Sequence, residues 1–182
     1  MNFALSILEL HCPAPLKRRI LRDLFSATAR SFGVEPPPIR GLSAGRLLTT
    51  YAHFTRAEAE RLWAGTGDQR DVERRLFENA RELGTALRQK FRVRSRDEVI
   101  RLSRVLYRVL GIDFDGRPDG GVVIKECAFS RIYTGRVCRL ISALDAGAAA
   151  GLSGGGTLEF SERITEGRDR CLARLIFPEG SS

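Results

Sequence analysis

Residues 121–177, GVVIKECAFSRIYTGRVCRLISALDAGAAAGLSGGGTLEFSERITEGRDRCLARLIF, decide how the chain folds. β-Branched and aromatic residues from Val122 to Ser130 predict a strand that ends near Tyr133, at the Thr134-Gly135 turn. Strict alternation puts Val122, Ile124, Glu126 and Ala128 on one face and Val123, Lys125, Cys127 and Phe129 on the other. Neither face is cleanly apolar, so the strand is expected to border a cavity. Arg136 to Gly151 reads as a helix of unusually small residues, able to lie close to a sheet. Leu158–Thr165 and Arg170–Phe177, joined by residues 166–169, read as a β-hairpin.

The chain before this stretch reads as helical support. Leu16, Ile20, Leu21, Leu24, Phe25 and Phe32 recur at helical spacing between Pro15 and Gly33. Glu35-Pro36-Pro37-Pro38 then acts as a stiff connector. A short helix over 43–53 is expected, followed by a separate one to Ala64 opened by a capping box at Thr55-x-x-Glu58. Asp68 is the expected N-cap of the longest helix, 69–91, with Val72, Leu76, Leu83, Leu87 and Phe91 on one stripe. A second capping box, Ser95-x-x-Glu98, opens a helix with a stripe of Val99, Leu102, Leu106 and Val109 and a stop at Gly111. These last two helices, residues 68–111, are expected to pack as an antiparallel hairpin, and residues 113–121 as turn.

The result is an α+β reading: a helical N-terminal half packed on a small antiparallel sheet, with a strand, helix and hairpin at the C-terminal end. At 182 residues and 43% hydrophobic composition one domain with one core is expected, with residues 1–50 as a helical extension and 121–177 as the site-bearing segment. No apolar run is long enough for a transmembrane helix. In the opening residues the basic side chains follow the apolar run, the reverse of a signal peptide. The expected location is cytoplasmic, and the four cysteines are read as thiols, metal ligands or core residues rather than disulfides.

The formal charge of +8 raises the question of nucleic acid. Residues 1–110 hold 21 Lys and Arg against 12 Asp and Glu, a net of +9, whereas residues 111–182 hold 9 against 10. The excess therefore sits away from the cysteine-bearing segment. Its densest run, Lys90 to Arg96, has no recognition motif or cluster of stacking aromatics beside it, so a solvated linker is the favoured reading over a phosphate-binding one.

Candidate chemistry concentrates in residues 127–171. Cys138 stands at a helix start, where the thiolate form is favoured, suited to a nucleophile or a metal ligand. Cys127 lies eleven residues earlier on the strand, and both also read as small buried hydrophobes. Asp145 is an acid within Ser142-Ala-Leu-Asp-Ala-Gly-Ala, with little reason to be there for stability, and it either reaches solvent or is held by a partner. Seven residues from Cys138, it shares that helix face. If buried it would have a raised pKa and serve as a general acid or base. Arg163 is a candidate clamp for a substrate carboxylate. His11 and His53 have no visible partner and are left out of the site.

The pattern Cys127-x-Phe129-Ser130-x-x-Tyr133, then Cys138-x-x-x-Ser142-Ala143-x-Asp145-x-Gly147 and Gly151-Leu152, then Arg163-Ile164-Thr165-x-Gly167-x-x-x-Cys171, resembles the L-2-amino-thiazoline-4-carboxylic acid hydrolase-like family. The resemblance covers about residues 70–177 and includes Leu110 to Phe114. It implies hydrolytic opening of a small cyclic carbon-nitrogen substrate, with Cys138, Asp145 and Cys127 as catalytic candidates. It adds Tyr133, Ser130, Ser142 and Cys171 to Arg163 as substrate-binding candidates. The end of the chain is more distantly similar to the 4-vinyl reductase-type ligand-binding domain. Zinc-binding members of that group carry a glutamate and a cysteine where this chain has Phe160 and Arg163. The alternatives are a non-catalytic sensor or carrier enclosing a small or lipid-like ligand, and a protein with zinc or an iron-sulfur cluster on Cys127, Cys138 and Cys171. No cofactor is the first expectation, and a homodimer is an open possibility.

Overall fold

The computed structural model describes residues 3–179 and is an α+β fold. Five helices come first: α1 (Phe3–Leu10), α2 (Ala14–Phe32), α3 (Ala44–Ala64), α4 (Gln69–Lys90) and α5 (Arg96–Val109). Strands β1 (Ile112–Gly116) and β2 (Gly121–Cys127), helix α6 (Gly135–Ser153), and strands β3 (Thr157–Glu162) and β4 (Cys171–Ile176) complete it. The sheet is antiparallel in the order β1-β2-β4-β3. α4 lies along α6, α2 packs on α3 and α4, and α5 lies against β1. The expected antiparallel pairing of α4 with α5 does not form. The residues between them instead swing α5 onto the sheet, and α6 takes the place beside α4.

That pairing follows from composition. Gly147 and Gly151 of α6 and Gly84 of α4 bring two backbones together. A Cβ on Gly147 would lie 2.1 Å from the Phe77 carbonyl oxygen, and one on Gly151 would lie 2.3 Å from that of Arg81. The small residues of α6 thus place one helix flank directly on α4 and leave the flank with Cys138, Ser142 and Asp145 to face inward.

Asp68 caps α4 through Arg70 N, and the Ser95/Glu98 capping box is formed in both directions. Ser95→Ala is expected to cost about 1 kcal/mol, measured as a drop in the urea midpoint with an unchanged slope. The capping box expected at Thr55 is absent, because nothing between Ala44 and Ala64 breaks the helix and Ser43 caps the whole of α3. Thr55 is instead fully buried inside that helix. Its hydroxyl reaches back to the Tyr51 carbonyl, 2.9 Å, and meets the Tyr133 hydroxyl. Thr55→Val leaves a buried tyrosine hydroxyl without that partner, so about 1–3 kcal/mol of stability should be lost, read from the same unfolding curves.

One further element falls within the expected helical extension, and one differs from expectation. The opening residues form α1, tied to α5 by Glu9, which pairs with Arg101 at 2.8 Å and Arg104 at 3.1 Å. Ile112-Asp-Phe-Asp-Gly116 is strand β1 rather than turn, with alternate residues buried. The helices close over the sheet around one large core, while Cys12, Leu21, Leu47 and Val109 form a second, smaller one. Among the described residues no helix is long and apolar enough to cross a membrane.

Candidate functional site

The core is not filled. A cavity of about 320 Å³ lies between the sheet and α2, α4, α5 and α6, within the roughly 300–1,000 Å³ of small-molecule sites. Its walls are mostly aliphatic and aromatic, including Leu83, Leu87, Leu106, Ile124, Leu144 and Phe160. Among the described residues, five charged side chains border it. Arg19, Asp23 and Lys90 are exposed and mark its mouth between α2 and the end of α4, whereas Asp145 and Arg163 lie within.

A β-bulge sets one wall. Ile112 pairs with Cys127 and Phe114 with Ile124, so β2 carries one residue more than β1 over this step. Strict alternation had set Cys127 opposite Val122 and Ile124. The extra residue reverses that, and all three border the cavity together.

The polar end is built mainly by α6. Thr134 caps it through Val137 N, and successive turns deliver Cys138, Ser142 and Asp145 to the cavity. The Tyr107 hydroxyl on α5 donates to Asp145 Oδ1 at 2.9 Å, and its ring stacks on Phe114 with centroids 4.6 Å apart. Arg163, just past β3, donates from Nη1 to Ser142 Oγ at 2.7 Å, while Ser142 donates to the Cys138 carbonyl. The Arg163 guanidinium also lies 4.3 Å from the Phe160 ring centroid and has Glu166 at 3.7 Å. Arg139 pairs with the same glutamate at 3.3 Å.

Burial governs the ionisation of these groups. It lifts Asp145 from 3.8 to about 6, against the opposing pull of the Tyr107 hydrogen bond and the Arg163 charge. Burial likewise raises Tyr107 well above its ordinary value, so its hydroxyl remains a donor. The Cys127 thiol is pushed up to about 11, first by burial, despite a lowering contact from the Phe129 backbone. A thiol so placed is protonated at neutral pH and acts as a weak donor rather than a nucleophile. Cys171 is raised by burial as well, and its sulfur accepts from Ile164 N at 3.4 Å.

Seven of the eight residues singled out from sequence border this one cavity: Cys127, Tyr133, Cys138, Ser142, Asp145, Arg163 and Cys171. Ser130 does not. Its hydroxyl turns back to the Cys127 carbonyl, 2.8 Å, and holds the turn after β2. Tyr133 stacks on Phe129 and its hydroxyl is engaged by Thr55. All four cysteines are free. Although three share the cavity, no group of three or more His, Cys, Asp or Glu side chains among the described residues is arranged to hold a metal ion. Sequence reasoning missed Tyr107 and Tyr51. Tyr107 falls one position off the α5 apolar stripe, and only packing across to α6 gives it a partner.

Only part of the basic run lies apart from the cavity. Arg81, Arg88, Arg92 and Arg94 line a surface groove beside Gly154 and Gly155. Arg88 there donates to the Leu152 carbonyl at the end of α6, and the groove has no aromatic lining residue. No protein-family model matches the chain, and no curated protein matches it.

Proposed function

We propose that this protein binds a small, largely apolar molecule in the cavity, with the molecule's polar end held between Asp145 and Arg163. The observation that carries this reading is an apolar chamber bordered by two inner charges that are held by neighbours, Tyr107 and Ser142, and keep further hydrogen-bonding capacity. Burial of apolar surface supplies affinity, at about 25 cal/mol per Å², and the polar pair supplies orientation. Leu87 is a half-buried wall residue one turn inside the mouth. The apolar fluorophore 1-aminoanthracene should therefore bind saturably at one site, and Leu87→Trp should abolish binding while leaving the far-ultraviolet circular dichroism unchanged. Absence of binding, or binding that Leu87→Trp leaves intact, contradicts the reading.

A second reading is hydrolytic, on a small cyclic carbon-nitrogen substrate. It is favoured by Asp145, whose value of about 6 suits a general base at neutral pH. Cys138, on the same helix face as Asp145 and bordering the cavity, is then the nucleophile candidate. Turnover of a thiazoline or cyclic amidine should rise with pH through about 6 as Asp145 ionises. Asp145→Asn should lower it by about 10²- to 10⁴-fold. A flat pH profile or an unaffected variant removes this reading.

A further inference from the structure

The charges at the inner end of the cavity restrict the head group it accepts, and this inference rests on the cavity being a ligand site. Asp145 accepts the Tyr107 hydrogen bond at Oδ1, while Oδ2 receives none among the described residues. Arg163 spends Nη1 on Ser142 and has Glu166 beside Nε, while Nη2 makes no hydrogen bond among those residues. Among the described residues the carboxylate and the guanidinium are not joined by an ion pair, although the Arg163 charge acts on Asp145. They therefore present an acceptor and a donor to one cavity, each with one atom uncommitted.

The wider charge balance is even. Asp145 and Arg163 offset each other, and Glu166 is offset by Arg139. A ligand carboxylate on Arg163 would bring a second negative charge toward Asp145, and a ligand ammonium on Asp145 would bring a second positive charge toward Arg163. Inside apolar walls such an unbalanced charge is strongly disfavoured. An N–H group on Asp145 together with a carbonyl oxygen on Arg163 satisfies both and adds no charge. We infer that the cavity selects ligands whose head is a net-neutral donor and acceptor pair, a primary carboxamide or a lactam, on an apolar body.

The test uses four probes with one body: 4-phenylbutyramide, 4-phenylbutyric acid, 4-phenylbutylamine and butylbenzene, each titrated against the full chain by calorimetry at pH 7.5. The amide should bind at least about tenfold more tightly than each of the others, as expected where a site's polar groups are left unpaired by the wrong head. Asp145→Asn removes the negative charge and offers an N–H donor, so it should reverse the order and make the acid the tighter ligand. Wild-type protein gives the same comparison without a substitution. The groups facing Asp145 are Tyr107 from α5, Tyr51 from α3, Cys127 from β2, Cys171 from β4, Arg163 after β3, and Cys138 on α6. Tyr107, Tyr51, Cys127 and Cys171 are all held above their ordinary values and stay protonated between pH 5.5 and 7.5. Asp145 takes up its proton in that interval, so the acid should gain on the amide as pH falls.

Equal or tighter binding of the acid, the amine or butylbenzene at pH 7.5 overturns the head-group inference and leaves the cavity reading standing. Failure of all four probes to bind overturns both. An acid affinity that does not rise relative to the amide, either at pH 5.5 or in Asp145→Asn, also overturns the inference.

Discussion

Gly147→Ala and Gly151→Ala should each destabilise the protein by more than about 3 kcal/mol or prevent it from folding, at the severe end of overpacking substitutions. Intrinsic propensity argues the other way, since alanine in a helix interior is worth about 1 kcal/mol over glycine. The packing decides. A Cβ on Gly147 would approach the Phe77 carbonyl oxygen to 2.1 Å, and one on Gly151 would approach the Arg81 oxygen to 2.3 Å and the Thr85 nitrogen to 2.6 Å. All three are backbone atoms of α4, so no side chain can rotate away and the whole helix must move. Because α6 also carries Cys138, Ser142 and Asp145, displacing it from α4 would open the polar end of the cavity. The measurement is the urea midpoint of each variant. A gain in stability for either one would mean that propensity prevails and that the helices are not in contact as described.

Asp145→Asn should have the opposite effect, stabilising the protein by about 3 kcal/mol at pH 8. Asp145 is raised from 3.8 to about 6 by burial. Between those values the folded state holds a proton that the unfolded state has released. Wild-type stability attributable to this group therefore falls as pH rises from about 4 to about 6, and the deficit is constant above that. Asparagine keeps an oxygen for the Tyr107 hydroxyl and has no charge to desolvate. The difference between variant and wild type should vanish below about pH 4, where Asp145 is protonated in both states, and this difference cancels the other carboxylates. Equal stability at pH 8 would show that Asp145 is well solvated.

The residues that carried the α+β reading are those with local signals: the small-residue helix at 135–153, the β-branched run of β2, the capping box at Ser95 and the Asp68 cap. Where the expectation failed, the deciding interaction was long-range or a local signal had no breaker to support it. Thr55-x-x-Glu58 has the letters of a capping box, but no turn precedes it, so α3 runs through and Thr55 serves Tyr133, 78 residues away. Ile112 and Phe114 alternate with aspartates, which reads as turn until β2 pairs with them. The candidate site was legible in much the same proportion. Asp145 stands out because a carboxylate in an apolar helix calls for a partner. That partner, Tyr107, is invisible without the packing of α5 beside α6. The bulge that turns Cys127 toward the cavity leaves no mark in the alternation itself.

The most direct test of the cavity as a small-molecule site is methyl nuclear magnetic resonance on Ile, Leu and Val-labelled protein titrated with 1-aminoanthracene. Saturable shifts are predicted at Ile112, Ile124, Ile141 and Leu144, which border the cavity, and none at Leu21, Leu47 or Val109 of the second core. Shifts confined to surface methyls or to that second core, or no saturable shifts at all, would contradict the account.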